Sequence, residues 1–426
     1  MTTSELNIKE GMMELWKRTF HDSPEYVKLI FDNYFNTGIP VYRCDGNKVV
    51  ASLLGIPYEF KCKESTSKGL YLCGISTDPA YRRKGLMSEL LNEIESKALT
   101  EGYDFLFLIP SGETNRMIYQ GKGFIDGIYK CYEYYTSVHD FTTEFQSTLF
   151  CFDERVRKLK MDLYDSLVVN TLKLNPEKKE SIIQFISDNE KLKNNYLNLC
   201  HTEKDLKIAI EDNHIYGGQI FYSENKNGDL TAVMFACGSD DGRIKVYAQY
   251  CEDPCSYFRL LKEIKDYFAE MSLTVMRIPE EVKGKGIWSE ASVVANPDGP
   301  DLESLVGIET RVYYSSDNSK VYGMIKVLNL DNVVKDLCNI ETDLSFKLIV
   351  NDYEKNERFF IEVGKRKCTV EKIDRETENN KRFQGLTALS IQDFLYILFR
   401  KKVRDDIITE AFGIPRLPVG VSLMLD

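Results

Sequence analysis

Nowhere in this 426-residue chain do about 18 apolar residues follow one another without a break, so no segment is expected to cross a bilayer as a helix. The opening Met1-Thr2-Thr3-Ser4-Glu5-Leu6 lacks the basic start and apolar centre of a secretory signal, and the expected location is cytoplasmic. A basic surplus is missing as well. Lys and Arg number 55 against 66 Asp and Glu, a formal net charge of −11. Nucleic-acid binders neutralise phosphates with cations, so no nucleic-acid partner is expected. An acidic surface instead attracts cations, protonated amines among them. Histidine is scarce, with only four residues (His21, His139, His201, His214), and these do not complete a zinc site with Cys251 and Cys255, the one close pair of cysteines; no metal is expected. The eleven cysteines run irregularly from Cys44 to Cys368. An odd, unpatterned set reads as reduced thiols rather than as a disulfide framework.

What is present is ordinary globular material, 43% hydrophobic and 28% charged, which excludes collagen-like and disordered classes. At about 150 residues per domain the length suits two to three domains. Met12, Leu15, Trp16 and Phe20, then Tyr26, Leu29, Ile30, Tyr34 and Phe35, recur at helical spacing. Ser23-Pro24-Glu25 between them is a helix start. Residues 40–62 read as two strands turning at Asp45-Gly46-Asn47, and Gly69 to Thr77 as a third, closed by Asp78-Pro79. A helix is expected from about Gly85 to Thr100, with Leu86, Met87, Leu90, Leu91, Ile94 and Ala98 on one stripe. Phe105 to Ile109 then reads as a strand covered on both faces, 114–120 as a short helix, and Phe124 to Tyr135 as a strand. The order is that of a mixed α/β layer.

The middle third repeats this pattern in weaker form. Cys251-Glu252-Asp253-Pro254, a helix and Arg277-Ile278-Pro279 mirror Ser76-Thr77-Asp78-Pro79, a helix and Leu108-Ile109-Pro110. Gly307-Ile308 before Val312-Tyr313-Tyr314 mirrors Gly123-Phe124 before Tyr132 to Tyr135. Two unrelated layers could share such dipeptides; order and spacing together favour a duplication. The last third changes character: a strand at Met324 to Leu328, a helix from near Asp331, alternating strands at 344–350 and 359–363, a charged loop at 371–382, and a helix started by Ser390 with Asp393 three residues on.

Arg82-Arg83-Lys84-Gly85-Leu86-Met87 joins a strand to a helix start. Free N–H groups and the positive end of the helix dipole favour an anion there, a glycine lets a ligand approach the backbone, and the cations suit phosphate. A basic helix start on the surface is the plainer alternative, but basic residues at that end oppose the dipole, so an anionic ligand explains them better.

The stretch Ser76-Thr77-Asp78-Pro79-Ala80-Tyr81-Arg82-Arg83-Lys84-Gly85-Leu86-Met87 resembles the acetyl-CoA pyrophosphate loop of the GNAT N-acetyltransferase superfamily, R/Q-x-x-G-x-G/A. Arg82 and Gly85 match it, and Met87 stands where a small residue is usual. Ile118-Tyr119-Gln120-Gly121-Lys122-Gly123-Phe124 is similar to the superfamily's Y-x-x-x-G-F segment. Phe20-His21-Asp22-Ser23-Pro24-Glu25-Tyr26, Val321-Tyr322-Gly323-Met324-Ile325-Lys326-Val327 and the apolar C-terminal stretch narrow the resemblance to Eis-like (enhanced intracellular survival) acetyltransferases. That resemblance implies tandem GNAT-like mixed sheets with flanking helices, an α/β (α+β) fold: a catalytic domain over 1–150, a degenerate second GNAT-like domain over 151–318, and a sterol-carrier-protein-like domain over 319–426.

The resemblance further implies acetyl-CoA as cosubstrate, held by Arg82, Arg83, Lys84, Gly85, Leu86 and Met87, with backbone N–H groups at Ile75, Ser76 and Thr77 orienting the thioester. Tyr119 is implied as the acid that serves the leaving thiolate. A phenol near pKa 10 is a weak acid, but a thiolate near 8.5 can accept through a short hydrogen bond; packing alone would also explain a tyrosine here. Cys255-Ser256-Tyr257-Phe258-Arg259 has no glycine and no basic cluster, so the second domain is expected to bind no CoA. The implied base is the chain's own terminal carboxylate at Asp426. The segment from Ile414 to Asp426 is apolar and holds two prolines, so it is expected to be packed, for catalysis or for stability alone. The acceptor implied is a cationic amine, a small polyamine or an aminoglycoside-like compound, and a homo-oligomer, a hexamer, is implied with it. The alternatives are a CoA- or lipid-binding scaffold without turnover and, among enzymes, a protein-lysine acetyltransferase.

Overall fold

The computed structural model describes residues 3–63, 65–137, 161–193, 195–239, 242–268, 272–282, 310–314, 319–340, 344–364, 367–374, 382–400 and 413–422. Gly307-Ile308, the stretch 375–381 and Asp426 lie outside the described residues. The chain divides into two compact units. One comprises 1–128, 193–200 and 321–420; the other comprises 129–192, 201–320 and 421–426.

The first unit opens with helices α1 (Thr3–Phe20) and α2 (Pro24–Tyr34). Ser23 caps α2 by accepting from the Tyr26 N–H, and Pro24 takes the first helical position, where it has no N–H to leave unsatisfied. Strands β1 (Ile39–Asp45) and β2 (Lys48–Cys62) meet at the Gly46 turn, and β3 (Ser65–Thr77) returns antiparallel along β2. Helix α3 (Leu86–Thr100) buries Leu90, Leu91, Ile94 and Ala98, its apolar stripe, in one core with Val41, Leu53 and Leu72 of the strands. Strand β4 (Phe105–Leu108) is buried at all four residues and runs parallel to β3. Helix α4 (Glu113–Gln120) leads into β5 (Ile125–Ser137), of which residues 125–128 count with this unit.

The second unit holds residues 129–137 of β5 and, in chain order, α5 (Met161–Ser166), β6 (Val168–Thr171) and α6 (Lys179–Leu192). The chain then lends β7 (Leu197–Cys200) to the first unit, antiparallel to β2. It returns as α7 (Glu203–Ile215), β8 (Gln219–Glu224), β9 (Leu230–Gly238), β10 (Ile244–Cys251), α8 (Pro254–Tyr267), β11 (Leu273–Arg277) and β12 (Thr310–Tyr314). Strands β9 and β10 are antiparallel, and β10 and β11 are parallel around α8. The same arrangement joins β2, β3, α3 and β4, as the repeated sequence pattern leads one to expect.

Back in the first unit, β13 (Lys320–Val327) pairs antiparallel with β4, Met324 opposite Leu108. Helix α9 (Leu330–Ile340) follows, then β14 (Phe346–Asp352), β15 (Glu357–Gly364), β16 (Lys367–Lys372), β17 (Thr387–Ser390) and α10 (Ile391–Phe399). These four strands make a sheet in the order β16-β15-β14-β17. Here the structure corrects one expectation: residues 371–372, assigned to the charged loop, end strand β16, where Glu371 pairs with Phe360 and Lys372 with Phe359. An edge strand keeps polar side chains on its open face, so its sequence reads like a solvated loop. Ser390 caps α10 by accepting from the Asp393 N–H. The last described stretch is packed, with Ile414, Leu417 and Val421 fully buried. Strand β18 (Val419–Gly420) pairs with β7 and, at Val419, with Ile128 of β5.

Candidate acyl-transfer site

Two features of β3 shape the first unit's site. Pairing with β4 stops at Tyr71 opposite Phe107, while β3 runs on to Thr77. Beyond that point only Leu108 of β4 remains, so Leu72 to Thr77 of β3 extend past the ladder, and this open end is the fork. Within the same stretch the β2–β3 register slips, so that Leu54 faces Cys73 but Ser52 faces Ser76. Gly74 is the residue that absorbs the extra length, at φ +60°. Trp16 of α1 backs this bulge. Its indole N–H donates to Asp22 Oδ2 at 2.7 Å, and its ring meets Phe20 and Phe31 edge-on, each at 5.7 Å.

The chain leaves β3 through a short 3-10 turn, Pro79–Tyr81, set by Asp78. The Asp78 carboxylate accepts from the Ala80 N–H at 3.1 Å and pairs with Lys48 at 2.6 Å and Arg18 at 3.4 Å. Next come the predicted anion-site residues. Arg82, Arg83, Lys84 and Gly85 are exposed, and Leu86 and Met87 are half-buried against the α3 core. Arg83 at φ +62° and Gly85 at φ +85° both take the left-handed conformation, which turns successive N–H groups toward one side, a geometry that suits anions. No side chain caps α3, and no described carbonyl accepts from the N–H groups of Arg83 through Met87. A Cβ built on Gly85 would meet nothing within 4 Å, so the space over this helix start is open. Arg82 Nε donates to Thr77 O at 3.3 Å.

Of the residues expected to orient a thioester, Ile75 and Thr77 are half-buried and Ser76 is buried. The Ser76 hydroxyl lies 3.3 Å from that of Ser52, so its side chain is engaged within the sheet. Tyr119 sits in the last turn of α4, and its carbonyl accepts from the N–H groups of Lys122 and Phe124. That turn brings Phe124 edge-on to the Tyr119 ring at 5.9 Å, and it passes through Gly123 at φ +82°. The ring is buried in the same core as α3, and burial pushes the phenol up to about 12. Its hydroxyl makes no hydrogen bond to any described residue. The structure thus brings Tyr119 and the α3 start into one unit around the β3–β4 fork, whereas Asp426, the expected base, lies outside the described residues.

The corresponding place in the second unit is built differently. Asp253 caps α8: its carboxylate accepts from the Ser256 N–H at 3.0 Å and the Ser256 hydroxyl at 2.7 Å. A carboxylate therefore sits at this helix start and takes one of the N–H groups that a phosphate would need. Glu133, fully buried, accepts from Tyr257 Oη at 2.5 Å, Tyr135 Oη at 3.0 Å and Arg277 Nη1 at 3.0 Å. The Arg277 guanidinium is thus engaged by Glu133. Among the described residues no group of three or more His, Cys, Asp or Glu is gathered as a metal site, and no helix is long and apolar enough to cross a membrane.

Sequence reading missed Trp16, Asp78 and Tyr81. Their residue types were visible, but only the fold places them against the bulge and the basic turn.

Comparison with known proteins agrees with this geometry. Residues 4–125 match the family model of the acetyltransferase (GNAT) domain. No curated protein matches the chain by sequence. Among solved structures, a probable N-acyltransferase of unknown function from Enterococcus faecalis is similar at TM-score 0.64 and 11% identity, covering 97% of each chain. A GCN5-related N-acetyltransferase from Anabaena variabilis is similar at 0.60 and 13%, covering 98% of each. Eis1 from Mycobacterium abscessus is similar at 0.57 and 9%, covering 96% of this chain and 90% of its own. At these identities the likeness is one of fold. The match of residues 4–125 to the GNAT acetyltransferase domain, together with the open end of β3 and the uncapped helix start, supports an acyltransferase.

Proposed function

We propose that the chain transfers the acetyl group of acetyl-CoA to the nitrogen of a cationic amine, a small polyamine or an aminoglycoside-like compound, at the first unit's fork. The observation that carries this reading is the contrast between the two helix starts. That of α3 is uncapped, open and basic, and that of α8 is closed by Asp253. Arg82, Arg83, Lys84 and the N–H groups from Gly85 to Met87 fit a pyrophosphate by charge and by unused donors. Acetyl-CoA, when bound, supplies the activated acyl carbon.

The protein's own groups do the rest. The acceptor ammonium first gives one proton to the base, which passes it to solvent; the neutral amine nitrogen then bonds to the acyl carbon and the C–S bond breaks. Tyr119 hydrogen-bonds the sulfur as charge develops and gives it a proton, and the proton shed by the amine restores the phenol. Because the buried phenol is a weaker acid than a thiol, it stays protonated through the physiological range and acts at the moment of bond breaking. The net acidity of the chain favours a cationic acceptor. Asp426 as the base, residues 151–318 as a degenerate second GNAT-like domain, residues 319–426 as a sterol-carrier-like domain, and a hexameric assembly belong to the same reading by resemblance.

The test is thiol release from acetyl-CoA by the full chain against a panel of polyamines, aminoglycosides and lysine peptides. Release with a small amine supports the reading. Release only with lysine peptides moves the acceptor to protein, and CoA binding without any release points to a scaffold.

A further inference from the structure

Lys84 carries one of three consecutive positive charges, and none of Arg82, Arg83 and Lys84 forms an ion pair with a carboxylate among the described residues. What holds Lys84 is a ring. Its ammonium lies 4.6 Å from the centroid of Tyr81, within cation–π range. That ring is itself fixed at both ends. Its backbone closes the turn that Asp78 sets, and its hydroxyl donates to Asp45 Oδ2 at 2.5 Å, in the hairpin between β1 and β2. Donation to a carboxylate makes the phenol richer in electrons and so a better seat for a cation; the same bond pushes the Tyr81 pKa up. Two basic residues on other elements, Arg18 and Lys48, are both paired with Asp78, and Lys48 also lies 5.8 Å from the Tyr81 ring.

The arrangement solves a conflict. A carboxylate placed directly on Lys84 would fix the side chain but cancel the charge a phosphate needs. A ring fixes the ammonium and leaves its charge and N–H donors free, while the carboxylate that orders the ring stays one residue removed. We propose that Asp45 and Tyr81 are positioning residues that act through Lys84 on the phosphates of CoA. This rests on the reading of the basic turn as the CoA site.

The experiment is a double-mutant cycle read by calorimetry with CoA on the full chain. Tyr81→Leu should weaken CoA binding by about two- to fivefold, the worth of an exposed cation–π contact. Lys84→Ala should weaken it by about tenfold or more, as the loss of a charged hydrogen bond does. Adding Tyr81→Leu to Lys84→Ala should then change nothing further, and Tyr81→Phe and Asp45→Ala, which keep the ring but break the bond that orders it, should each weaken binding about as much as one another, by less than Tyr81→Leu, and only while Lys84 is present. Equal weakening by Tyr81→Leu with and without Lys84 would overturn the inference, because the tyrosine would then act on the fold and not through the lysine. So would an unchanged affinity in Tyr81→Leu while the parent chain binds CoA. A parent chain that binds no CoA would overturn the functional reading itself, and this inference with it.

Discussion

The indole of Trp16 lies where a side chain on Gly74 would have to go. A Cβ built on Gly74 falls 2.2 Å from Trp16 Cε3. The bulge that distorts β3 and the helix that covers it are therefore a single fitted pair, and Asp22 holds the indole in place through its N–H. Helix α1 is thereby tied to the strand that borders the fork.

Gly74→Ala should be costly for two reasons that add: the left-handed backbone at φ +60° disfavours a Cβ, and the indole occupies its place. The expected loss is about 2–4 kcal/mol, read from urea unfolding midpoints. Trp16→Leu in the same chain should recover part of it. A loss below about 0.5 kcal/mol would mean that the indole swings aside at little cost.

Tyr119→Phe removes one oxygen from a buried ring that makes no hydrogen bond to any described residue. Stability and CoA affinity should stay near those of the parent. Turnover should fall by about 10²–10⁴-fold, the usual worth of a general acid. A Phe variant with parental kcat would assign protonation of the thiolate to solvent.

One CoA per chain is the expected stoichiometry, since α3 is open and Asp253 occupies the start of α8. Gly85→Ala meets no neighbour, so its cost to folding should be only the backbone strain, about 1 kcal/mol. Its new methyl group stands where the ligand approaches, and Arg82→Glu with Gly85→Asp should abolish binding. Calorimetry showing two sites, or affinity untouched by the double change, would refute the assignment.

Asp336 on α9 is buried and receives the Ser67 hydroxyl at 2.5 Å; burial lifts its pKa from 3.8 to about 6. Between about pH 4 and 6 the folded chain keeps a proton there that the unfolded chain has lost. This group therefore stabilises less as pH rises through that window, and its penalty is complete above it. Asp336→Asn should be more stable than the parent at pH 8 by about 1–3 kcal/mol. The difference should shrink toward zero as pH falls to about 3, below both values, where the parent's carboxyl is mostly neutral in both states. A constant difference across the range would show that Asp336 titrates normally.

Much of the fold is written in short stretches of sequence. Ser23-Pro24 starts α2, Asp45-Gly46-Asn47 turns the first hairpin, and the stripe of Leu90, Leu91, Ile94 and Ala98 defines α3 and its buried face. Caps, turns and helical faces depend on residues three or four apart, so their physics is complete within a few letters. The basic turn at 82–87 and the Tyr119 segment are legible for the same reason, because each is one local device: a helix start and a helix end.

Partnership between distant segments is not written that way. Nothing near Leu197 says that it will join β2, nor near Val419 that the chain will come back to lie beside Ile128 and Leu197. Closing a long loop costs little more than closing a shorter one, so sequence distance is a weak guide to pairing, and burial of matching faces decides it. The same holds for the fine structure of the site. Trp16 reads as one more apolar residue on a helix, Asp45 as a turn former and Tyr81 as one tyrosine among 25. They acquire roles only when packing sets the indole against Gly74 and the phenol between Asp45 and Lys84.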